Sequence, residues 1–428
     1  MTNNPFIDEL RWRGMLQELT PGIETQLNKE CTTGYAGFDP TSDSLGIGNL
    51  VPVLLLRHLQ RHNHKPIALV GGATGMIGDP SGKSAERNLL TEDQIHYNVA
   101  CQQKQLQKFL QFGPGKTDAE MVNNFDWFKE MGFLQFLRDV GKHLTISYMI
   151  AKDSVQNRMD SGISFTEFSY QLLQGYDFFV LHQQKGVKLQ LGGSDQWGNM
   201  TTGTELIRRK CGGEAFAVTC PLITKSDGTK FGKTESGNIF LDPKKTSPYK
   251  FYQFWLNASD EDALRYLKIF TFLNQGEVQD ITDEHQKAPH TRLMQKALAR
   301  EMTTLVHSES DYDFALKATE ILFGQSTAEA LLQFSNQELE QVFEGVPSAK
   351  ISRDELHSGI DVLDLLADKT GFQPSRGEAR RSIQGKGISI NKKTVETIEI
   401  KVNADMLINN RYLLLQKGKK AYFLVIAE

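Results

Sequence analysis

Tyr170, Gln174 and Asp177 fall at i, i+4 and i+7 within YQLLQGYDFF, so on a helix they share one face. A phenol, an amide and a carboxylate aligned in this way suit a small polar ligand. The same face would also serve to hydrogen-bond neighbouring elements. A second group lies in residues 31–50, CTTGYAGFDPTSDSLGIGNL, where Tyr35 stands between glycines ahead of Asp39 and Thr41. The stretch ends in small residues that lead into an apolar helix. A glycine-rich helix start with open N–H groups suits a phosphate, although glycine before a helix is commonly only a turn. Residues 71–87, GGATGMIGDPSGKSAER, invite comparison with a P-loop, but only three residues separate Gly78 from Gly82 where G-x-x-x-x-G-K-S needs four. The stretch also lacks G-x-G-x-x-G. What remains is a loop in which Asp79, Lys83 and Arg87 are placed to bring charge to a nucleotide. LGGSDQWGNM puts Asp195 and Gln196 directly after a strand-like run, where a carboxylate accepts from ribose hydroxyls or an ammonium group. In residues 225–238, KSDGTKFGKTESGN, Lys230 and Lys233 are available to clamp phosphates or to remain solvated.

The elements that must hold these groups alternate. PIALVGG (66–72) and VKLQLGG (187–193) read as buried strands, and 91–112 and 195–210 as amphipathic helices. Strand, loop and helix in repetition imply a parallel sheet covered on both faces, with ligands at the carboxyl ends of its strands. Pro52 is expected in the first turn of the helix that follows residues 46–49, where no donor is missed. Residues 248–333 read as helical, with a capping box at Ser259 and Asp262. The aromatic cluster Tyr249, Phe251, Tyr252, Phe254 and Trp255 is expected to pack the core of that region. Residues 336–358 read as a linker, and 359–428 as a small final unit of two helical pieces and a strand-rich end.

The chain has 428 residues, 39% of them hydrophobic and 23% charged, which allows two or three domains with sizeable cores. No apolar run is long enough to span a membrane. The first residues read as neither a secretory nor a transit signal. Cysteines 31, 101, 211 and 220 fit no zinc framework, which favours a reducing, cytoplasmic setting. His58 and His62 have ligand spacing, but Leu59 stands where a zincin needs glutamate, so surface or hydrogen-bonded histidines are expected and no metal site. The net charge is −4, yet from residue 369 onward 12 lysines and arginines face 5 acidic residues. A basic tail on a more acidic body suggests contact with a polyanion.

Five motifs in register carry a family resemblance: Tyr35, Gly37, Asp39 and Thr41; Gly78–Lys83 with Arg87; Tyr170–Asp177; Gly192–Asn199; and Lys230–Thr234. Together they resemble the bacterial class I tyrosyl-tRNA synthetases, and residues 375–394 resemble the S4 RNA-binding module that ends many of them. The resemblance spans nearly the whole chain. It implies an α/β fold: a Rossmann-like parallel-sheet catalytic domain (1–225), a lysine loop with an α-helical anticodon-side domain (226–335), the linker, and a small α+β S4-like domain (359–428).

The resemblance also implies site roles. Tyr35 and Asp177 would bind the substrate phenol. Tyr170, Gln174 and Asp79 would hold its ammonium. Asp39, Gly193, Asp195 and Gln196, with Gly37, Gly46, Gly48 and Asn49, would contact substrate or adenylate. Lys83, Arg87, Lys230 and Lys233 would gather on the pyrophosphate side, with Thr41 and Thr234 as hydroxyl donors. Arg376, Arg380, Arg381, Lys386, Lys392 and Lys393 would meet tRNA. The implied substrates are L-tyrosine, ATP with Mg²⁺ and tRNA, with no tightly bound cofactor, in a homodimer. One position departs from the family: Gly46-Ile47-Gly48-Asn49 replaces H-x-G-H or H-x-G-N, in which the first histidine donates to the transferring phosphate. The alternative attached to that departure is an RNA-binding or regulatory relative with impaired catalysis. A further one is an enzyme that activates tyrosine for a different acceptor.

Overall fold

The protein was analysed as a computed structural model, which describes residues 3–81, 89–159, 162–234, 237–323, 328–418 and 421–428. Its contacts divide the chain into two bodies, Met1–Lys245 with Trp255–Val306 and Thr246–Phe254 with His307–Glu428.

The first body is built on a six-stranded sheet. Its strands are Glu18–Leu19 (β1), Thr33–Phe38 (β2), Lys65–Val70 (β3), Glu120–Asn123 (β4), Val187–Gly193 (β5) and Phe216–Cys220 (β6), in the order β1-β6-β5-β2-β3-β4. All ladders are parallel except β1 with β6. β3, β5 and β6 are mainly apolar and almost wholly buried, as strands covered on both faces must be. The crossovers include helices Leu50–Arg61, Glu92–Leu106 and Phe165–Lys185. β2 pairs with β3 on one side and with β5 on the other, so chain progression reverses between β2 and β5. That reversal opens a crevice at their carboxyl ends. Tyr35, Ile67, Leu69, Phe178, Leu181, Val187 and Ile207 form a core cluster beneath it.

Several expectations hold locally. Pro52 is the third residue of its helix, which follows a 3-10 turn at Ile47–Asn49. Ser259 caps Asp260–Phe270 by accepting from the Asp262 amide, but the reciprocal half of the expected capping box is not formed among the described residues, because the Asp262 carboxylate accepts from the Ser226 amide and hydroxyl and from Arg265 instead. The histidine expectation needs correction. His58 is neither exposed nor satisfied: it is 1% exposed, both ring nitrogens lack a partner among the described residues, and it packs beside Phe272. Burial, aided by Arg13 and neighbouring cations, pushes it down to about 2 and keeps it neutral.

In the second body, a five-stranded sheet runs in the order 393–394, 388–390, 412–417, 421–427 and 348–351. It packs against Arg376–Gln384 over a core containing Leu365, Ile383, Leu413 and Val425. The stretch 336–358, expected as a linker, is structured. Asn336–Val342 and Arg353–Ser358 are helices, and Ser348–Ile351 joins the sheet parallel to Ala421–Ala427. Its polarity misled because an edge strand is half exposed and helix caps are themselves polar.

Candidate active site

Asp177 is 2% exposed, and among the described residues no cation bears on its charge. Its carboxylate accepts from Asn124 Nδ2 (3.1 Å) and Trp127 Nε1 (2.9 Å). Burial pushes its pKa up to about 8, with the two N–H donors opposing and Asp39 adding to the rise. Tyr35, 1% exposed and edge-on to Phe178, has a hydroxyl with no partner among the described residues. Burial first, and Asp177 second, raise its pKa well above the phenol value. Gln190, register partner of Tyr35 across β2 and β5, is buried, and its Oε1 likewise has no partner among the described residues. Unmade hydrogen bonds at buried oxygens are costly. A hydroxyl-bearing ligand would supply them.

From Asp177 a hydrogen-bond chain runs across the crevice. Asn124 also donates to Thr74 Oγ1 (3.0 Å), Thr74 to Asp39 Oδ1 (2.8 Å), and the Tyr170 hydroxyl to Asp39 Oδ2 (2.7 Å). The chain fixes Tyr170 and Asp39 relative to the carboxylate. Opposite lies a second cluster. Asp79, also buried, accepts from the Ser81 amide (3.0 Å) and Gln196 Nε2 (2.7 Å). Asn199 Nδ2 approaches Gln174 Oε1 (3.1 Å), Gln196 Oε1 (3.2 Å) and Asp79 Oδ1 (3.4 Å), which ties the three together. A carboxylate and amide oxygens grouped in this way suit an ammonium group.

The other side of the crevice is more open. Gly37 is the one exposed residue of β2. A Cβ at Gly193 would lie 2.5 Å from Asp195 Oδ1, so only glycine lets Asp195 fold back over the strand end. Gly46 is different. Its φ of −83° suits any residue, and a Cβ there would meet nothing nearer than 3.7 Å. Its amide donates to Asn49 Oδ1 and its carbonyl accepts the Asn49 amide, both at 2.9 Å. Thr41, Gly48 and Asn49 are exposed beside it. In the lysine loop, Phe231 is buried against Trp255, Tyr266 and Phe270. The exposed Lys230 and Lys233 flank this anchor. Lys233 and Thr234 pair with Gly237–Asn238, and Thr234 Oγ1 donates to the Gly237 carbonyl (3.0 Å).

The structure thus brings together Tyr35, Asp39, Asp79, Tyr170, Gln174, Asp177 and Gln196. Lys83 and Arg87 lie outside the described residues. Asn124, Trp127 and Gln190 were not singled out from sequence, and Asn199 entered only as the last residue of the Gly192–Asn199 motif, without a role of its own. Only Asn199 carried a signal, three residues after Gln196 at a helix start; the others reach the site through sheet register and a loop. In the tail, Arg380, Arg381, Lys386 and Lys393 are exposed, while Arg376 pairs with Asp364 and Asp368. Lys392 differs: it is half-buried, and its ammonium donates to the Leu322 carbonyl.

Residues 27–324 match the family of class I tRNA synthetases for tryptophan and tyrosine, and residues 338–425 match the SYY-like C-terminal domain of tyrosine–tRNA ligases. The fold and crevice are therefore those of a class I aminoacyl-tRNA synthetase. The chain is 59% identical to the tyrosine–tRNA ligase of Bacteroides thetaiotaomicron, over 99% of this chain and 100% of that one. With that of Porphyromonas gingivalis it shares 58% over the same extents. The C-terminally truncated mitochondrial tyrosyl-tRNA synthetase of Coccidioides posadasii superposes with a TM-score of 0.65 at 30% identity, covering 73% of this chain and 91% of that one. The chain belongs to the tyrosine–tRNA ligase family.

Proposed function

We propose that the crevice performs the family's reaction with the following division of labour. L-tyrosine enters with its phenol between Asp177 and Tyr35 and its ammonium among Asp79, Tyr170, Gln174 and Gln196. The tyrosine carboxylate attacks the α-phosphate of ATP, and pyrophosphate leaves toward Lys230 and Lys233, with Thr41 and Thr234 as hydroxyl donors. ATP arrives with Mg²⁺. Gly37, Asp39, Gly193 and Asp195 hold the adenylate, beside the helix start at Gly46, Gly48 and Asn49. The tyrosyl group then passes to the 3′-terminal adenosine of a tRNA, which the exposed basic residues of the tail contact. No protein nucleophile is needed, so catalysis is positioning and charge stabilisation.

The observation that carries this reading is the pair of buried groups, Tyr35 Oη without a partner among the described residues and Asp177 held by two N–H groups. Phenylalanine would leave both unmatched. Tyrosine-selective synthetases as a class reject it by about 10⁵-fold. Tyrosine-dependent pyrophosphate exchange tests the assignment: exchange is expected with tyrosine, and exchange with tryptophan alone would overturn it. Replacing Arg380, Arg381 and Lys386 together by alanine is expected to lower tRNA charging while sparing exchange.

A homodimer fits the exposed apolar residues Phe133 (63%), Leu134 (80%), Ile146 and Phe165, on neighbouring helices of the first body. Sedimentation of Leu134→Glu is expected to show monomers. Among the described residues no helix is long and apolar enough to cross a membrane. A cytoplasmic location suits a tRNA substrate.

A further inference from the structure

Helix Glu92–Leu106 aims three amides, spaced i, i+4 and i+7, at the segment between Asp39 and the helix start. Asn98 Nδ2 donates to the Pro40 carbonyl (2.9 Å), and Gln102 Nε2 donates to that of Ser42 (3.0 Å). Gln105 grips with both ends: Oε1 accepts the Leu45 amide (2.8 Å) and Nε2 donates to Ser44 Oγ (3.1 Å). Ser44, buried, donates to the Leu45 carbonyl (3.0 Å) and accepts the Asp242 amide (3.2 Å). Immediately beside it the lysine loop is stitched to the helix start. The Leu241 amide donates to Leu45 O and the Ile47 amide to Ile239 O, both at 2.9 Å, around a bridge between Gly46 and Phe240. On the rim, Asp43 and Lys245 pair at 2.6 Å.

We infer that Ser44 and Gln105 are positioning residues for adenylate formation. Together they set the register of the lysine loop against the helix start, and hence where Lys230 and Lys233 stand relative to Thr41. The reason is geometric. Both Leu45 backbone groups are committed, the amide to Gln105 and the carbonyl to the loop, and Ser44 joins them. Loss of the Gln105 grip frees the edge on which the loop is registered. Misplacing a reacting group by about 1 Å costs on the order of 10²-fold in rate. The inference rests on the reading that the loop lysines act on the pyrophosphate side.

Gln105→Met removes both grips at similar volume. Its kcat for tyrosine-dependent pyrophosphate exchange is expected to fall about 10-fold or more, with tyrosine Kd by calorimetry within about twofold of the parent. Gln105→Glu keeps an acceptor for the Leu45 amide and can take the Ser44 proton in exchange for its bond to the Leu45 carbonyl, so it should recover most of the rate. A parental kcat in Gln105→Met overturns the inference. So does a tyrosine affinity that falls by the same factor as kcat, or a Gln105→Glu no faster than Gln105→Met. If Gln105→Met does not fold, the rim pair decides: Asp43→Lys should slow exchange and Asp43→Lys with Lys245→Asp should restore it, and failure to restore overturns the inference. Lys233→Ala, run in parallel, separates the two readings. Full activity there sinks the role given to the lysines, whereas a slow Lys233→Ala beside a fast Gln105→Met sinks only the positioning role.

Discussion

The end of the crevice proposed to hold tyrosine and the lysine loop are built on opposite physical terms. At the tyrosine end, Asp39, Thr74, Asn124, Trp127, Tyr170 and Asp177 are joined by hydrogen bonds of 2.7–3.1 Å. Each comes from a strand end, a packed helix or a short loop beside the sheet. In the loop, Phe231 alone of residues 230, 231 and 233 is buried, and both lysines are exposed. Recognition of a small rigid phenol profits from groups already in place, because little ordering cost is left for the ligand to meet. Stabilising a leaving pyrophosphate calls for charges that gather around it in the transition state, and loops allow that.

The contrast is breakable. Substitutions at the buried end should act on affinity, and those in the loop on rate. The largest effect is expected from Asp177→Ala, which strands the Asn124 and Trp127 donors and removes the phenol's acceptor. Tyrosine-dependent kcat/KM should fall by about 10³-fold, seen chiefly as weaker binding in calorimetry. Lys233→Ala should lower exchange kcat by about 10²-fold and leave tyrosine Kd unchanged. A weakened Kd there would erase the distinction.

Next comes pH. Because Asp177 is raised from 3.8 to about 8, the folded state holds a proton that the unfolded chain releases between those values. That stabilisation is complete below about pH 4 and is lost as pH rises through 8, at about 1.4 kcal/mol per pH unit. Thermal unfolding from pH 6 to 8 should show the decline, and Asp177→Asn should flatten it.

Gly46→His tests the open side. The backbone there tolerates any residue and a Cβ has room, so a side chain can leave the chain at this position without backbone strain. Exchange kcat should rise, by about 10-fold, with tyrosine affinity unchanged. The smallest change is expected from Tyr35→Phe. Its hydroxyl has no partner among the described residues, so thermal stability should hold or rise, while tyrosine binding weakens by about 1 kcal/mol. Lower stability together with unchanged binding would mean that the hydroxyl serves the fold.

Much of this was legible in the chain. Tyr170, Gln174 and Asp177 share a helix face by spacing alone, and apolar runs with glycine ends located β3 and β5. The basic surplus after residue 369 marked the tail. These are local properties, set by helical and strand periodicity and by composition, and one sequence suffices to state them. Other features were decided only when distant segments met. Asn124 and Trp127 reach Asp177 because β4 lies beside β3 and delivers its following loop to the crevice. Gln190 faces Tyr35 because β5 crosses the sheet to pair with β2. Lys392 turns to a helix carbonyl, and His58 is sealed neutral in the core, through packing that residue type does not announce. The strand at 348–351 finds its place only through a parallel partner whose paired residues lie 76 positions later. Period and charge travel with the chain, whereas burial, register and hydrogen-bond partnership belong to pairs of segments and exist only in the folded arrangement.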